Sequence, residues 1–367
     1  MRTALAAAVA AMVVAAATSA VTADPVDDFE GGTIIFARGG SLWRVDAKGK
    51  NESELVALPA GAVVRALRTD AAGTLLMIDV GGKWQWMPLD GSTAPTLRDL
   101  PCAQDGPAQL ADDASCVVCA SVADPKTASL YNFSRDKAWP LANVPPATAR
   151  LAVTATGARV LVWADADGIW TAPPGKLATK TKVAPDSPLR GFLASPDATR
   201  AIGVYTGEIY TDAKHTKQGD VLQGFALDGA GARRNATKGG VPIDWSHDAQ
   251  WVLVQDGSEA CEVRASGGEY KCFTGFTMQS TATDGRWMVL LGPPSTKSKD
   301  KPKDKPKDKS KDKAAADDAP PPGDVAVPPP AGPLALYRGR LEGLYKEAPT
   351  MIVSSVDGAA VWVPKQP

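Results

Sequence analysis

The chain has 367 residues, 44% of them hydrophobic, and a formal net charge of −1. That length allows a large core in one repetitive domain or two ordinary ones. The balanced charge excludes the basic footprint of a nucleic-acid-binding protein, and 34 Gly with 30 Pro point to many short strands and turns.

The first element is a leader. Arg2 precedes an apolar run over residues 4–17, and Val21-Thr22-Ala23 fits a small-x-small cleavage site. A run this short falls below the roughly 20 residues needed to span a bilayer. Residues 1–23 therefore read as a signal peptide, 24–32 as a flexible mature N-terminus and 33–367 as the folded domain. The expectation is an exported protein, periplasmic or extracellular, with no transmembrane segment.

From there the chain repeats itself. A polar turn runs into an apolar strand at "DAAGTLLMID" (70–79), "ADDASCVVCA" (111–120), "TATGARVLVW" (154–163), "SPDATRAIGV" (195–204), "SHDAQWVLVQ" (246–255), "ATDGRWMVLL" (282–291) and "SVDGAAVWVP" (355–364). Once the low-complexity stretch 295–332 is set aside, the period is about 40 residues, the range of repeat architectures. A second apolar strand ending in a turn follows each unit, as in "SLWRVDAKG" (41–49) and "KWQWMPLDG" (83–91). A third strand-like piece comes next, as in "ESELVALP", and a short one precedes each unit, as in "VVRALR", "ARLAV" and "VPIDW". Four short strands per repeat describe a β-propeller blade.

In this reading the polar turn joins the innermost strand of a blade to the second, with Ser and Asp bonding their own backbone. The following apolar run is buried on both faces between blades, so it reads as continuous rather than alternating. Innermost, third and outer strands each number seven. The second-strand pattern occurs eight times, because 33–38 and 359–364 both fit it. The predicted fold is all-β, a seven-bladed β-propeller closed by strands from both termini. Residues 350–364 pair with 33–47, and closure removes the free sheet edges.

Ser195-Pro196-Asp197-Ala198, and Leu42-Trp43-Arg44-Val45-Asp46-Ala47-Lys48-Gly49 after "TIIFARGG", resemble the two halves of the TolB-type, WD40-like β-propeller repeat. The resemblance extends over most of residues 33–367. It implies a structural motif rather than a reaction, and a protein that binds other proteins in a bacterial envelope.

Five cysteines suit an oxidising compartment. A turn at Ser266-Gly267 would set Cys261 and Cys272 opposite each other within disulfide reach. Cys116 and Cys119 form a C-x-x-C, but with Cys102 and no nearby histidine they fall short of a four-ligand zinc site. A disulfide from Cys102 that leaves one buried thiol is the expectation, with its partner open.

"KSKDKPKDKPKDKSKDK" (297–313) holds nine Lys and four Asp and lies in a Pro-rich stretch. Residues 295–332 are therefore expected to be a disordered insertion between two strands of the last blade, capable of weak contact with anionic surfaces.

The sequence lacks nucleophile-elbow, zincin, phosphate-loop and EF-hand motifs, and no cofactor or metal is expected. Asp197, Asp248, Asp284 and His247 read as turn residues. The blade around residues 206–220 is longer than its siblings, and extra loop length is a pointer to a binding surface. Glu208, Tyr210, Lys214, His215 and Lys217 form the candidate interaction loop. The expected function is a monomeric, non-enzymatic scaffold that binds a protein or glycan partner in the envelope. The alternative is a propeller lyase or hydrolase with carboxylates at the central channel. The innermost strands look mainly apolar, which favours binding. Three or more carboxylates or histidines around one channel mouth would favour the enzyme.

Overall fold

The structure is a computed structural model. It describes residues 32–89, 91, 96–184, 188, 190–210, 216–228, 234–235, 240–265, 270–282, 287–294, 333–340 and 348–365. The leader, most of the expected mature N-terminus, the Lys-rich insertion, Lys214, His215 and Asp284 lie outside the described residues.

Seven four-stranded antiparallel sheets make up the chain. The first blade contains β1 (Thr33–Arg38), β2 (Ser41–Asp46) and β3 (Ser53–Ala57). The second has β4 (Val64–Thr69), β5 (Leu75–Val80), β6 (Lys83–Pro88) and β7 (Arg98–Asp99); the third has β8 (Ala108–Leu110), β9 (Cys116–Ala120), β10 (Ala128–Asn132) and β11 (Lys137–Leu141). The fourth has β12 (Arg150–Val153), β13 (Arg159–Asp165), β14 (Gly168–Ala172) and β15 (Thr181–Ala184). The fifth has β16 (Arg190–Ala194), β17 (Arg200–Tyr210), β18 (Thr216–Ala226) and β19 (Arg234–Asn235). The sixth has β20 (Val241–Trp245), β21 (Trp251–Asp256), β22 (Glu259–Arg264) and β23 (Tyr270–Thr274). The seventh has β24 (Thr277–Thr281), β25 (Trp287–Gly292), β26 (Leu334–Arg340) and β27 (Thr350–Val356). The fourth strand of the first blade is β28 (Ala360–Val363), which pairs with β1 in the order β28-β1-β2-β3.

Closure by both termini therefore holds, with a corrected assignment. β27 is the outer strand of the seventh blade, and only 360–363 pair with the N-terminal strand, at 33–36. The segment 355–364 is not a seventh copy of the inner-to-second turn. Its Asp357-Gly358 joins an outer strand to the next inner one, at the opposite end of the blade. Asp357 Oδ2 accepts the backbone N–H of Gly39 at 2.5 Å, capping the β1–β2 turn.

Seven apolar clusters fill the seven gaps between blades. Each second strand feeds two of them by alternation. Ile34 and Phe36 of β1 pack against the seventh blade, whereas Ile35 and Ala37 pack against the second. In β9, Cys116 and Val118 face the fourth blade, while Val117 and Cys119 face the second. A strand buried on both faces needs no polar alternate positions, so the repeat text reads as continuously apolar.

The polar turn has one geometry wherever it is described. The fourth residue donates to the carbonyl of the first: Gly73 to Asp70, Ala114 to Ala111, Gly157 to Thr154, Ala198 to Ser195 and Ala249 to Ser246. All five fourth residues have positive φ, from 53° to 78°. Glycine adopts that conformation freely, and an L-residue does so at a cost. Ser246 Oγ donates to Asp248 Oδ1 at 2.5 Å and accepts from Trp251 N at 3.0 Å. Ser195 does the same with Asp197 and Arg200. In the 154–163 copy, Thr154 Oγ1 takes the serine's place and meets Thr156 at 3.0 Å. Asp197 and Asp248 are thus turn residues, as expected.

Cys261 and Cys272 face each other in register and are bonded, with Cα atoms 4.1 Å apart. Cys102 pairs with Cys119 across 5.7 Å, leaving Cys116 as a buried thiol that accepts from Asn132 Nδ2. Among the described residues no helix is long and apolar enough to cross a membrane.

Candidate functional site

The innermost strands line a central channel, and their channel-facing side chains correct the expectation of an apolar lining. The strands quoted as "VVRALR", "ARLAV" and "VPIDW" supply Arg68, Arg150 and Asp244, and the two arginines meet on Asp244 across the ring. Arg68 Nη1 donates to Asp244 Oδ2 at 2.9 Å and Arg150 Nη1 to Asp244 Oδ1 at 3.0 Å. Arg150 Nη2 reaches Asp112 Oδ1 at 3.4 Å, and His247 Nδ1 lies 3.3 Å from Asp112 Oδ2.

The result is a chain of alternating charge, Arg68–Asp244–Arg150–Asp112–His247, linking the second, third, fourth and sixth blades. It sits beside a channel cavity of about 190 Å³ whose walls include Leu253, Met278, Trp245 and Trp362. Asp112 and His247 come from inner-to-second turns.

Burial opposes ionisation of Asp244, but Arg150, Arg68 and the Trp245 N–H outweigh it and hold the carboxyl below its ordinary range. Burial likewise disfavours charge on Arg150, and Asp244 with Asp112 more than restores it. For His247, burial pushes the imidazole down, while the hydrogen bond and charge of Asp112, helped by Asp244, push it above its usual value.

A second feature stands at the other end of the ring. β17 and β18 pair over eleven rungs. The inner strand β16 stops pairing at Val204, and β19 reaches only Gln223 and Gly224. The five rungs from Thr206 opposite Asp220 to Tyr210 opposite Thr216 therefore form a two-stranded arm with no third strand among the described residues. Arg190 and Asp220 are paired at 3.1 Å at its base. Glu208, Tyr210 and Lys217 of the expected interaction loop lie on this arm, with Glu208 exposed and opposite Gln218.

Glu259, Cys261 and Cys272 bring a carboxylate and two sulfurs together, but both sulfurs are spent in the disulfide and cannot serve as thiolate ligands. The channel residues Arg68, Asp112, Arg150 and Asp244 were missed in the sequence. For Arg150 and Asp244 the signal that could have found them is a single charged residue inside an otherwise apolar inner strand; Arg68 shares its strand with Arg65, and Asp112 lies in a turn, so neither carries that signal.

No protein-family model matches the chain. No curated protein sequence matches it either. Solved structures similar to it include TolB from Acinetobacter baumannii, at 10% identity over 66% of this chain and 66% of that one, with a TM-score of 0.42. The hydrazine synthase of Kuenenia stuttgartiensis is similar at 10% identity, over 62% of this chain and 73% of that one, with a TM-score of 0.42. A protein described as a TolB from Agrobacterium tumefaciens is similar at 10% identity over 91% and 97%, with a TM-score of 0.42. The chain thus spans just under two thirds of the Acinetobacter protein.

Proposed function

We propose that the protein is an exported, monomeric, non-enzymatic β-propeller that binds a protein partner in the cell envelope through the arm of its fifth blade. A glycan is the alternative ligand. The arm is the observation that carries this reading. A ribbon with open edges offers main-chain donors and acceptors to an extended peptide, the strand-addition mode of recognition. Natural sheets usually cover or blunt such edges, and the outer edges of this ring are kept short, as at Arg98–Asp99 in the second blade. The leader and the two disulfides support export into an oxidising compartment.

A photo-reactive residue placed at Glu208 should cross-link one envelope protein in producing cells. The same probe at exposed Val122, on the third blade, should not. Equal labelling from both positions would defeat the reading.

The Asp112–His247 pair favours a second reading as a lyase or hydrolase. Asp112, Asp244 and His247 make up the three groups that would point to an enzyme, and an imidazole oriented by a carboxylate is a pair used in acid–base catalysis. Asp244, however, is held below its ordinary range by Arg150 and Arg68, which makes it a poor base, and Asp112 is engaged by Arg150 as well as by His247. Turnover of an envelope glycan or ester that disappears in His247→Gln would establish the enzyme instead.

A further inference from the structure

We propose that the channel holds a binding site for a small carboxylate anion at the Arg68 end of the charge chain, and that a proton on His247 strengthens it. The proposal does not depend on the arm or on what the arm binds.

The argument begins with charge. Arg68 and Arg150 balance Asp112 and Asp244, so the chain is neutral when His247 is neutral and carries one net positive charge when His247 is protonated. A net charge on partly buried side chains is costly without a counter-ion. An anion in the adjoining cavity offsets it.

Geometry says where the anion sits. Arg68 has only a share of a carboxylate, because Asp244 also serves Arg150. Its Nε is buried and meets no acceptor among the described residues, so donors exceed acceptors at this end. Its side chain is 23% exposed, whereas that of Arg150 is 7% exposed. Of these two, Arg68 is thus the guanidinium that an incoming ligand can reach; Arg65 also lines the cavity but is paired with Asp105. The cavity beside it, about 190 Å³, fits a small organic acid, and the apolar walls from Ile243, Leu253 and Met278 strengthen a charge pair by lowering the local dielectric.

His247 stands at the far end of the same chain. The charged groups facing it are Asp112 from the β8–β9 turn, Asp244 from β20 and Arg150 from β12; Asp248 on its own turn is engaged by Ser246. Protonated His247 takes a larger share of Asp112. Arg150 then leans on Asp244, and Arg68 is left as the cation short of a partner. The elevated affinity of His247 for its proton keeps this state populated in mildly acidic surroundings.

The test titrates the full-length mature protein with acetate at about pH 5.5 and about pH 8, either side of the ordinary histidine range. Affinity should be about five-fold or more tighter at the lower pH, the usual size of coupling between two sites. NMR shifts induced by acetate should centre on the Arg68 guanidinium in the wild-type protein. Arg68→Gln should lose binding at both pH values, and His247→Gln should bind weakly with no pH dependence. Arg68→Lys keeps the charge and should bind with reduced affinity, which separates ligand loss from misfolding. Absence of acetate binding at the lower pH, equal affinity at both, or shifts centred away from Arg68 would overturn the proposal.

Discussion

The backbone N–H of Trp362 donates to Ser280 Oγ at 2.8 Å, from the closing strand β28 to the inner strand of the neighbouring blade. Ala360 makes the companion bond to Gln279 Oε1 at 3.2 Å. The inner edge of β28 has no further strand to pair with, so side chains of β24 supply acceptors that a ladder would otherwise provide. Ser280→Ala should leave the Trp362 N–H without its acceptor and cost about 1–3 kcal/mol, read as a lower denaturant midpoint.

Deleting residues 357–367 should be far worse. Ala360, Val361, Trp362 and Val363 are all buried, and their loss bares Ile34 and Phe36. Each large apolar side chain contributes about 1.5–3 kcal/mol, against a whole-domain margin of about 5–15 kcal/mol. Aggregation or failure to fold is expected. A soluble monomer with an unchanged midpoint would contradict the closure.

Peptide mapping without reduction should return Cys102 joined to Cys119 and Cys261 joined to Cys272, with Cys116 as the one free thiol. Replacing Cys261 and Cys272 together should cost roughly 2–3 kcal/mol, because the bridge closes a short loop. A pairing through Cys116 would show that β9 is shifted in register, since Cys116 and Cys119 face different blades.

Two glycines of the repeated turn separate backbone strain from crowding. Gly157 at φ 78° has open space where a Cβ would go, so Gly157→Ala should cost about 1–2 kcal/mol from its left-handed conformation alone. Gly73 at φ 68° would place a Cβ 2.9 Å from Val363 Cγ1 and Pro364 Cδ. Gly73→Ala should therefore lower the unfolding midpoint distinctly more. Equal effects would mean that the C-terminal strand does not rest on this turn.

Stability should decline at both ends of the pH scale. His247 keeps its proton above the ordinary 6.5. Its pair with Asp112 thus contributes fully below that value and fades as pH rises through the folded-state value. Asp244 is held below 3.8, so its contribution is present above that pH and fades as pH falls further. His247→Gln should remove its share of the alkaline decline and leave the acid one, measured by denaturant midpoints across pH.

The blades were legible because their signal is local. Ser246 through Trp251 form a turn whose partners lie within six positions, so the text repeats wherever the structure does. The same economy caused the one misassignment. Asp357-Gly358 followed by an apolar strand carries the same letters as the repeated turn, although it joins blades rather than strands within a blade. Only the long-range pairing of Ile34 with Trp362 distinguishes the two cases. The channel network was illegible for a related reason. Asp244 meets Arg68 only because the ring brings together residues 176 positions apart, and a lone charge in a short strand does not announce its partner.

The pairing of Thr33 with Val363 also sets an order of events. The strand that completes the first blade follows every other blade in the chain, so the first blade begun is the last to be finished. Until then β1 presents a bare edge and half of two interblade cores, whatever the other six blades have achieved. The ring cannot close progressively, and its completion waits for residues 360–363. A tag or fusion placed immediately after Val363 would therefore act on folding itself, while the same addition ahead of Thr33 would meet a strand whose partner has yet to be made.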